Sequence, residues 1–356
     1  MPYKAKLYNN TKLLSEDNVK KYVLPQYNLE NGSIEQIKFK NSEKQRAVYK
    51  ITSFDKFYCL KKVYYDVPEL LFVYSAIEWL YRYNINVPKI LPTKNNSRYV
   101  TYENMIFILT PWIQGIKCDY DIKNHMFKSM RNLAKMHNST EKFTPILGSK
   151  STSNFSNISN STNRRYQKIL TNSNLAFKTH DNFSNFFLEH FDINETLARK
   201  ACEISYSINH DNLSKSLCHL DYVNKNLIFD ENLELWVIDF DKCRMDFCVH
   251  DMSYFLRRLL RRDKTKWNLK LAINCITEYE KFHKLNLDEY KYLLAYLSFP
   301  QKYWRISRDY YNNIKKCNKH AFMNLLIKST NNEEEQLEFV YNFIDYIEHK
   351  FSTKIQ

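Results

Sequence analysis

The sequence predicts an α+β chain of two lobes, an antiparallel sheet first and a mainly helical part after it. Three observations lead there. The β-prone runs IEQIKFK from Ile34, RAVYKIT from Arg46 and FYCLKKV from Phe57 follow one another across the polar segments NSEKQ and SFDK, which suit hairpin turns. From Ile122 onward apolar residues recur mostly at helical spacing, with one hairpin region near residues 216–240. The pattern changes around Gly115, so residues 1–25 read as an arm, 26–115 as the first lobe with its hinge, and 116–356 as the helical lobe carrying the polar loops discussed below.

The elements can be justified in chain order. Ser15 before Glu16 and Asp17 suits a helix cap, and the short helix it starts ends near Leu24 and Pro25. Between Val67 and Tyr83, the residues Leu70, Leu71, Val73, Tyr74, Ile77 and Leu80 recur at helical spacing, and Pro88 stops any continuation. Strands follow at RYVTY and MIFILTPWI. The segment STSNFSNISNSTN, residues 151–163, has no apolar periodicity and reads as a mobile surface loop.

With 356 residues, 44% of them apolar, the chain can bury a substantial core and is not disordered. Its N-terminal stretch lacks the continuous apolar block of a signal peptide and no later stretch is long enough to span a bilayer, so a protein made and kept inside a cell is expected. Eight cysteines form no CxxC pair and no Cys/His cluster with zinc spacing, which favours buried free thiols. The net charge of +14 suits an anionic partner, but an excess of Lys, Asn, Ile and Tyr with only three glycines suits a compositionally biased genome equally well. A nucleic-acid partner rests on that charge alone, without a binding motif, and is not expected. Arg257, Arg258, Arg261 and Arg262 repeat at helical spacing and read as one solvated side, with Leu256, Leu259 and Leu260 facing inward.

The chemistry concentrates in one stretch. His219–Asn226 reads HLDYVNKN and is followed by LIF, a DEN turn and a strand ending at Asp239 to Asp241. A hairpin would return Asp239 beside Asp221 and Asn226, gathering two carboxylates and an amide at strand ends. Phosphoryl transfer requires such a set: a carboxylate to accept the proton of an attacking hydroxyl, and hard oxygen ligands for a divalent metal.

HxDxxxxN followed by IDFD resembles the catalytic and metal loops of aminoglycoside phosphotransferases and choline kinases, and so implies a protein-kinase-like two-lobed fold. The resemblance implies that Asp221 is the catalytic base, that Asn226 and Asp239 hold Mg²⁺, and that His219 buttresses the loop. Asp251 would cap the following helix or bond the catalytic loop. For Asp241 a second metal and the amides of its own turn remain open as partners. Lys61, at the end of the third strand, resembles the lysine that meets the α- and β-phosphates of ATP, and alternation favours it over Lys62. The segment Ile108–Gly115, with Thr110 and Trp112, resembles the hinge that meets adenine, although a buried strand and turn explain the same letters. His137, ending LAKMH, reads as a packed core or cap residue. Three positions depart from the family pattern: Tyr74 stands where a glutamate pairs with the lysine, with Glu69 and Glu78 a turn away on either side; NSEKQ lacks glycine; and Leu220 replaces the glycine of HGD.

The segments YNLENGSIEQIKFK, RAVYKI, FILTPWIQGIKC, LAKMH, VIDFDKCRMDFCVHDMSYFLRRLL and FPQKYWRISRDYY occur in the order seen in CotS-type spore-coat proteins. That resemblance implies a sporulating bacterium, synthesis in the mother-cell cytoplasm, deposition on the spore coat and coat-protein partners. Two functions fit: an ATP- and Mg²⁺-dependent phosphotransferase to a hydroxyl acceptor, or a noncatalytic coat component that keeps the fold. FPQKYWRISRDYY itself reads as an aromatic helix packed under the helical lobe.

Overall fold

The computed structural model describes residues 12–40, 46–150, 153 and 155–355. In chain order these form α1 (Glu16–Tyr22), β1 (Ser33–Lys40), β2 (Arg46–Ser53), β3 (Lys56–Lys62), α2 (Val67–Arg82), β4 (Val100–Tyr102), β5 (Met105–Pro111), β6 (Ile116–Lys117), α3 (Lys123–Ser139), α4 (Ile158–Thr179), α5 (Asn182–Glu189) and α6 (Phe191–Tyr206). There follow β7 (Lys215–Cys218), β8 (Leu227–Phe229), β9 (Leu235–Val237), β10 (Arg244–Phe247), α7 (Cys248–Leu260), α8 (Leu269–Glu280), α9 (Leu287–Ser298), α10 (Gln301–Asn312), α11 (Lys319–Thr330) and α12 (Glu333–Phe351). The chain divides into two compact units: residues up to Cys118 with 142–152 and 224–243, and the remainder. No helix among the described residues is long and apolar enough to cross a membrane.

The first unit is built on a five-stranded antiparallel sheet of order β1-β2-β3-β5-β4. Period-two alternation buries Ala47, Tyr49 and Ile51 of β2 on one face, together with Leu60, Phe107 and Leu109 of its neighbours. Leu14, Val19, Val23 and Leu24 join the same core, and the Tyr49 hydroxyl donates to the Leu14 carbonyl at 2.6 Å. Of the segment expected as an arm, Leu14 to Leu24 therefore contribute to the sheet's core, and residues 1–11 lie outside the described residues. Ser15 caps α1 as expected, accepting from the Asn18 amide, and Asp66 caps α2 by accepting from the Glu69 amide. NSEKQ, residues 41–45, lies outside the described residues.

A small sheet of order β6-β8-β9 completes this unit. Asp230 closes the turn between β8 and β9: its Oδ1 accepts from the amides of Asn232 and Glu234, and its Oδ2 accepts from the Trp236 indole at 2.9 Å. Ile116 pairs with Phe229, the Cys118 amide donates to the Leu227 carbonyl, and the Val237 amide donates to the Asn86 carbonyl. These bonds stitch residues 224–243 to the first unit, although the sequence pattern had grouped them with the helical lobe.

The second unit is mainly helical and carries one two-stranded sheet. β7 pairs with β10, Cys218 opposite Arg244, so SLCH meets RMDF and not the hairpin that follows it. Residues 158–163, expected in a loop, instead open α4. Asn157 caps the helix by accepting from the amides of Ser159 and Asn160, and the buried Ser159 hydroxyl donates to the Ser205 carbonyl of α6 at 2.6 Å. Small polar side chains that bond to backbone can be buried without an apolar stripe, which is why periodicity missed this turn. On α10, Tyr303 stacks on Phe187 and Tyr310 on Phe183, with ring centroids 4.6 and 3.7 Å apart, so one side of FPQKYWRISRDYY packs as the sequence suggested. All eight cysteines are free thiols.

Gly115 has φ of +147°, and a Cβ there would lie 2.2 Å from the Phe229 carbonyl oxygen; at Gly148 the nearest atom would be 3.6 Å away. Gly115→Ala is expected to destabilise the protein by about 3 kcal/mol, well beyond the effect of Gly148→Ala. Urea unfolding of both variants checks this, and equal losses would contradict it.

Candidate active site

Lys61 and its partners form the charged centre of the first unit. On β3, Leu60 points into the sheet core, so Lys61 emerges on the other face. Its Nζ donates to Asp239 Oδ1 at 2.5 Å and to Asp241 Oδ1 at 2.6 Å. Burial opposes the ammonium charge, but Asp241 and Asp239 more than offset it and raise the pKa of Lys61. The Tyr65 hydroxyl also donates to Asp241 Oδ1, at 3.4 Å, and the Tyr64 hydroxyl donates to the Asp241 carbonyl at 3.5 Å. Arg46 stacks over the Tyr64 ring at 4.2 Å and lies 3.9 Å from Asp241 Oδ2, a buried oxygen with no hydrogen-bond partner among the described residues.

Two features of the hairpin present these carboxylates. The pairing of Leu227 with Val237 extends by one bond, from the Ile238 amide to the Asn226 carbonyl at 2.9 Å, which sets Asn226 across from the residue before Asp239. Asp239 then takes φ of +69°, a left-handed turn that swings the chain out of the strand. An orphaned buried carboxylate oxygen beside a second carboxylate, with an amide one residue away across the hairpin, fits a hard divalent cation.

In the second unit the loop after β7 is held from below. Asp251, 0% exposed on α7, accepts from the His219 amide through Oδ2 and from the Leu220 amide through Oδ1, both at 2.6 Å. These bonds fix Leu220 at φ of +58°, the left-handed conformation for which glycine carries no penalty. The Asp221 amide donates to His219 Nδ1 at 3.1 Å, so His219 serves as a turn clamp. Burial would raise the pKa of Asp251, but the hydrogen bond and charge of His137, the charge of His219 and the backbone donors hold it below its ordinary value. His137 Nε2 lies 3.5 Å from Asp251 Oδ2, and its Nδ1 shares a 2.7 Å hydrogen bond with the Tyr279 hydroxyl.

The remaining expected residues sort clearly. Glu69 pairs with Lys150 at 2.8 Å and Glu78 with Lys89 at 3.4 Å, so neither is the partner of Lys61; Tyr74 lies under Arg98. Asp241 takes Lys61 as its partner, an arrangement that neither sequence reading of this aspartate had included. Thr110 pairs with Cys59 in the β3–β5 ladder, and the Trp112 amide donates to the Phe57 carbonyl at 3.0 Å, so that donor is engaged within the sheet. Arg46 and Tyr65 went unremarked in the sequence; the only signal was their place in β2 and just after β3.

His137, Cys218 and Asp251 offer donor atoms within 4.8 Å of one another, all buried. Burial first, then the charge of Asp251, pushes the Cys218 thiol well above its ordinary pKa, and both Asp251 oxygens already accept from the loop. This cluster is a hydrogen-bonded support for the loop, with its thiol kept protonated.

The sheet-plus-helix architecture and the Lys61–Asp239 pairing define a protein-kinase-like fold. An aminoglycoside phosphotransferase from Alicyclobacillus acidocaldarius superposes with a TM-score of 0.77 at 18% identity, covering 92% of this chain and 96% of that one. The spectinomycin phosphotransferase APH(9)-Ia, in complex with ADP and spectinomycin, gives 0.63 at 15%, covering 92% and 97%. The amicoumacin kinase hAmiN, in complex with AMP-PNP, Ca²⁺ and its ligand, gives 0.59 at 14%, covering 95% and 96%. The chain belongs to the family described as "Spore coat putative kinase YutH", which matches residues 34–343.

The lowered pKa of Asp251 makes its contribution to stability fully present above about pH 4 and lost as pH falls through its depressed folded-state value. Asp251→Asn is expected to lose about 3 kcal/mol at pH 7, and to show a shallower acid limb than the parent protein. Denaturant melts from pH 7 to pH 3 measure both; parallel acid limbs would refute the assignment.

Proposed function

We propose that this protein is an ATP- and Mg²⁺-dependent phosphotransferase acting on a hydroxyl acceptor, associated with the spore coat as its family's description indicates. The observation that carries the reading is the contact of Lys61 with Asp239 and Asp241, beside a buried carboxylate oxygen with no hydrogen-bond partner among the described residues. The neighbours in complex with ADP or AMP-PNP support a nucleotide for this fold. Asn226 and Asp239 would hold Mg²⁺, which when bound screens the charge of the phosphates. Lys61 turns from the aspartates to the α- and β-phosphates, and Arg46 stays with Asp241. Asp221 accepts the proton of the acceptor hydroxyl as its oxygen forms the new bond to the γ-phosphorus and the bond to the departing ADP breaks. His219 and Asp251 position that carboxylate through the loop backbone.

A noncatalytic coat component is the second reading, favoured by one observation: Glu69 and Glu78 are committed to Lys150 and Lys89, leaving Lys61 without a partner from α2. Two measurements separate the readings. Mg-ATP at a hundredfold excess over its Kd is expected to stabilise the protein by about 2.7 kcal/mol in a thermal melt, and Asp239→Ala should abolish the shift. No shift in the parent protein would favour the noncatalytic reading. Where turnover is detected, Asp221→Ala should lower kcat by at least about a hundredfold with nucleotide binding retained; an unchanged kcat would refute its role.

A further inference from the structure

The helical unit holds a second concentration of charge that the phosphotransfer reading leaves unused. A cavity of about 300 Å³ is lined by the exposed side of α7, the start of α10 and the connection between α11 and α12. Six of its sixteen lining residues are cationic, namely Arg257, Arg258, Arg261, Lys302, Arg305 and Lys328, and none is Asp or Glu. Their placement is not that of a solvated stripe, because FPQKYWR contributes Lys302 and Arg305 to the same walls as the arginines of α7.

Among the described residues these cations form no ion pair with a carboxylate. Arg257 donates to the Tyr296 hydroxyl at 2.8 Å and Arg258 to the Tyr254 hydroxyl at 3.0 Å, contacts that fix the guanidinium groups without neutralising them. Arg261, Lys302, Arg305 and Lys328 form no ion pair among the described residues. Burial, then the neighbouring Arg258, Arg257 and Arg305, pushes Arg261 down to about 10. Lys302 is lowered in the same way by burial and by Arg261, Arg305 and Arg258, a repulsion that Asp263 offsets only in part. Like charges gathered in a partly enclosed space form a site whose repulsion an anion relieves, and guanidinium groups match the oxygens of a phosphate in pairs.

The cavity also has a direction. The ring of Tyr222, next to Asp221, lies 6.1 Å from that of Phe255 on α7, the helix whose Asp251 holds the loop before Asp221 and whose far end carries Arg257 and Arg258; the Asp221 carboxylate is also among the charges that uphold Arg258 against burial. A volume of about 300 Å³ suits a compound of sugar-phosphate size.

We propose that this cavity takes the anionic group of the phosphoryl acceptor, so that the acceptor is a small hydroxyl compound already bearing a phosphate or a comparable oxyanion. This rests on the phosphotransfer reading above. An amine-rich acceptor, such as an aminoglycoside, would meet six like charges here.

The test uses the intact protein with glucose 6-phosphate, inorganic phosphate and neutral glucose as calorimetric probes. The two phosphates are expected to bind and glucose not to bind. Affinity should fall about tenfold in Arg261→Gln and in Arg305→Gln, the second at an exposed position whose change leaves the fold intact, and should be unchanged in Lys61→Met. Phosphate binding that is absent from the parent protein, equal in the arginine variants, or lost in Lys61→Met would overturn the site. So would a DNA duplex that displaces glucose 6-phosphate at lower concentration, since it would make the cavity part of a polyanion surface. Phosphate binding that persists while Mg-ATP neither binds nor turns over would overturn the acceptor role alone, through failure of the phosphotransfer reading.

Discussion

One buried carboxylate organises the helical unit. Asp251 takes two backbone amides of the loop after β7 on its two oxygens, with His137 behind it, and this is what makes a side-chain-bearing residue stand at φ of +58°. Charge-assisted bonds from buried amides are worth roughly 1.5–3 kcal/mol each, against about 1–2 kcal/mol for left-handed strain, so the loop's shape follows from the aspartate. With three glycines in the chain, the described residues include thirteen non-glycine positions at positive φ, four of them asparagine at 28, 84, 96 and 104. Turns here are set by local hydrogen bonding where glycine would have served.

Charge is organised on the same logic. In the first unit Lys61 sits against two aspartates; in the second, six cations share a cavity without a carboxylate in its lining. The net charge of +14 is therefore not spread evenly over a solvated surface. A biased genome explains abundant lysine, but it does not explain arginines of α7 converging with Lys302 and Arg305 of α10.

Much of the fold was legible because short-range patterns decide it. Alternation on β2 and β3 fixed which side Leu60 and Lys61 face, and the DEN turn announced the β8–β9 hairpin. What escaped had long-range causes. The partner of Lys61 on Asp241 lies 180 residues away, and no local spacing reports it. The pairing of β7 with β10 was hidden because the intervening hairpin offered a nearer partner in sequence. The first turn of α4 was hidden because Ser159 is buried by a bond to Ser205 and carries no apolar signal. Periodicity grouped four arginines on one side; Arg257, Arg258 and Arg261 do line one cavity, but Arg262, past the end of α7, pairs with Asp121, and what lines the space opposite the first three depends on the packing of α10, α11 and α12.

The near-neutrality of the Lys61 centre has a kinetic consequence. Two carboxylates stand against one ammonium in direct contact and one guanidinium at 3.9 Å, so a free divalent ion arriving alone finds little net attraction. A nucleotide that draws Lys61 toward its phosphates uncovers the aspartates at the same moment. On the reading proposed above, metal and nucleotide would therefore enter together as a complex, and Lys61 would close back onto Asp239 and Asp241 after each departure.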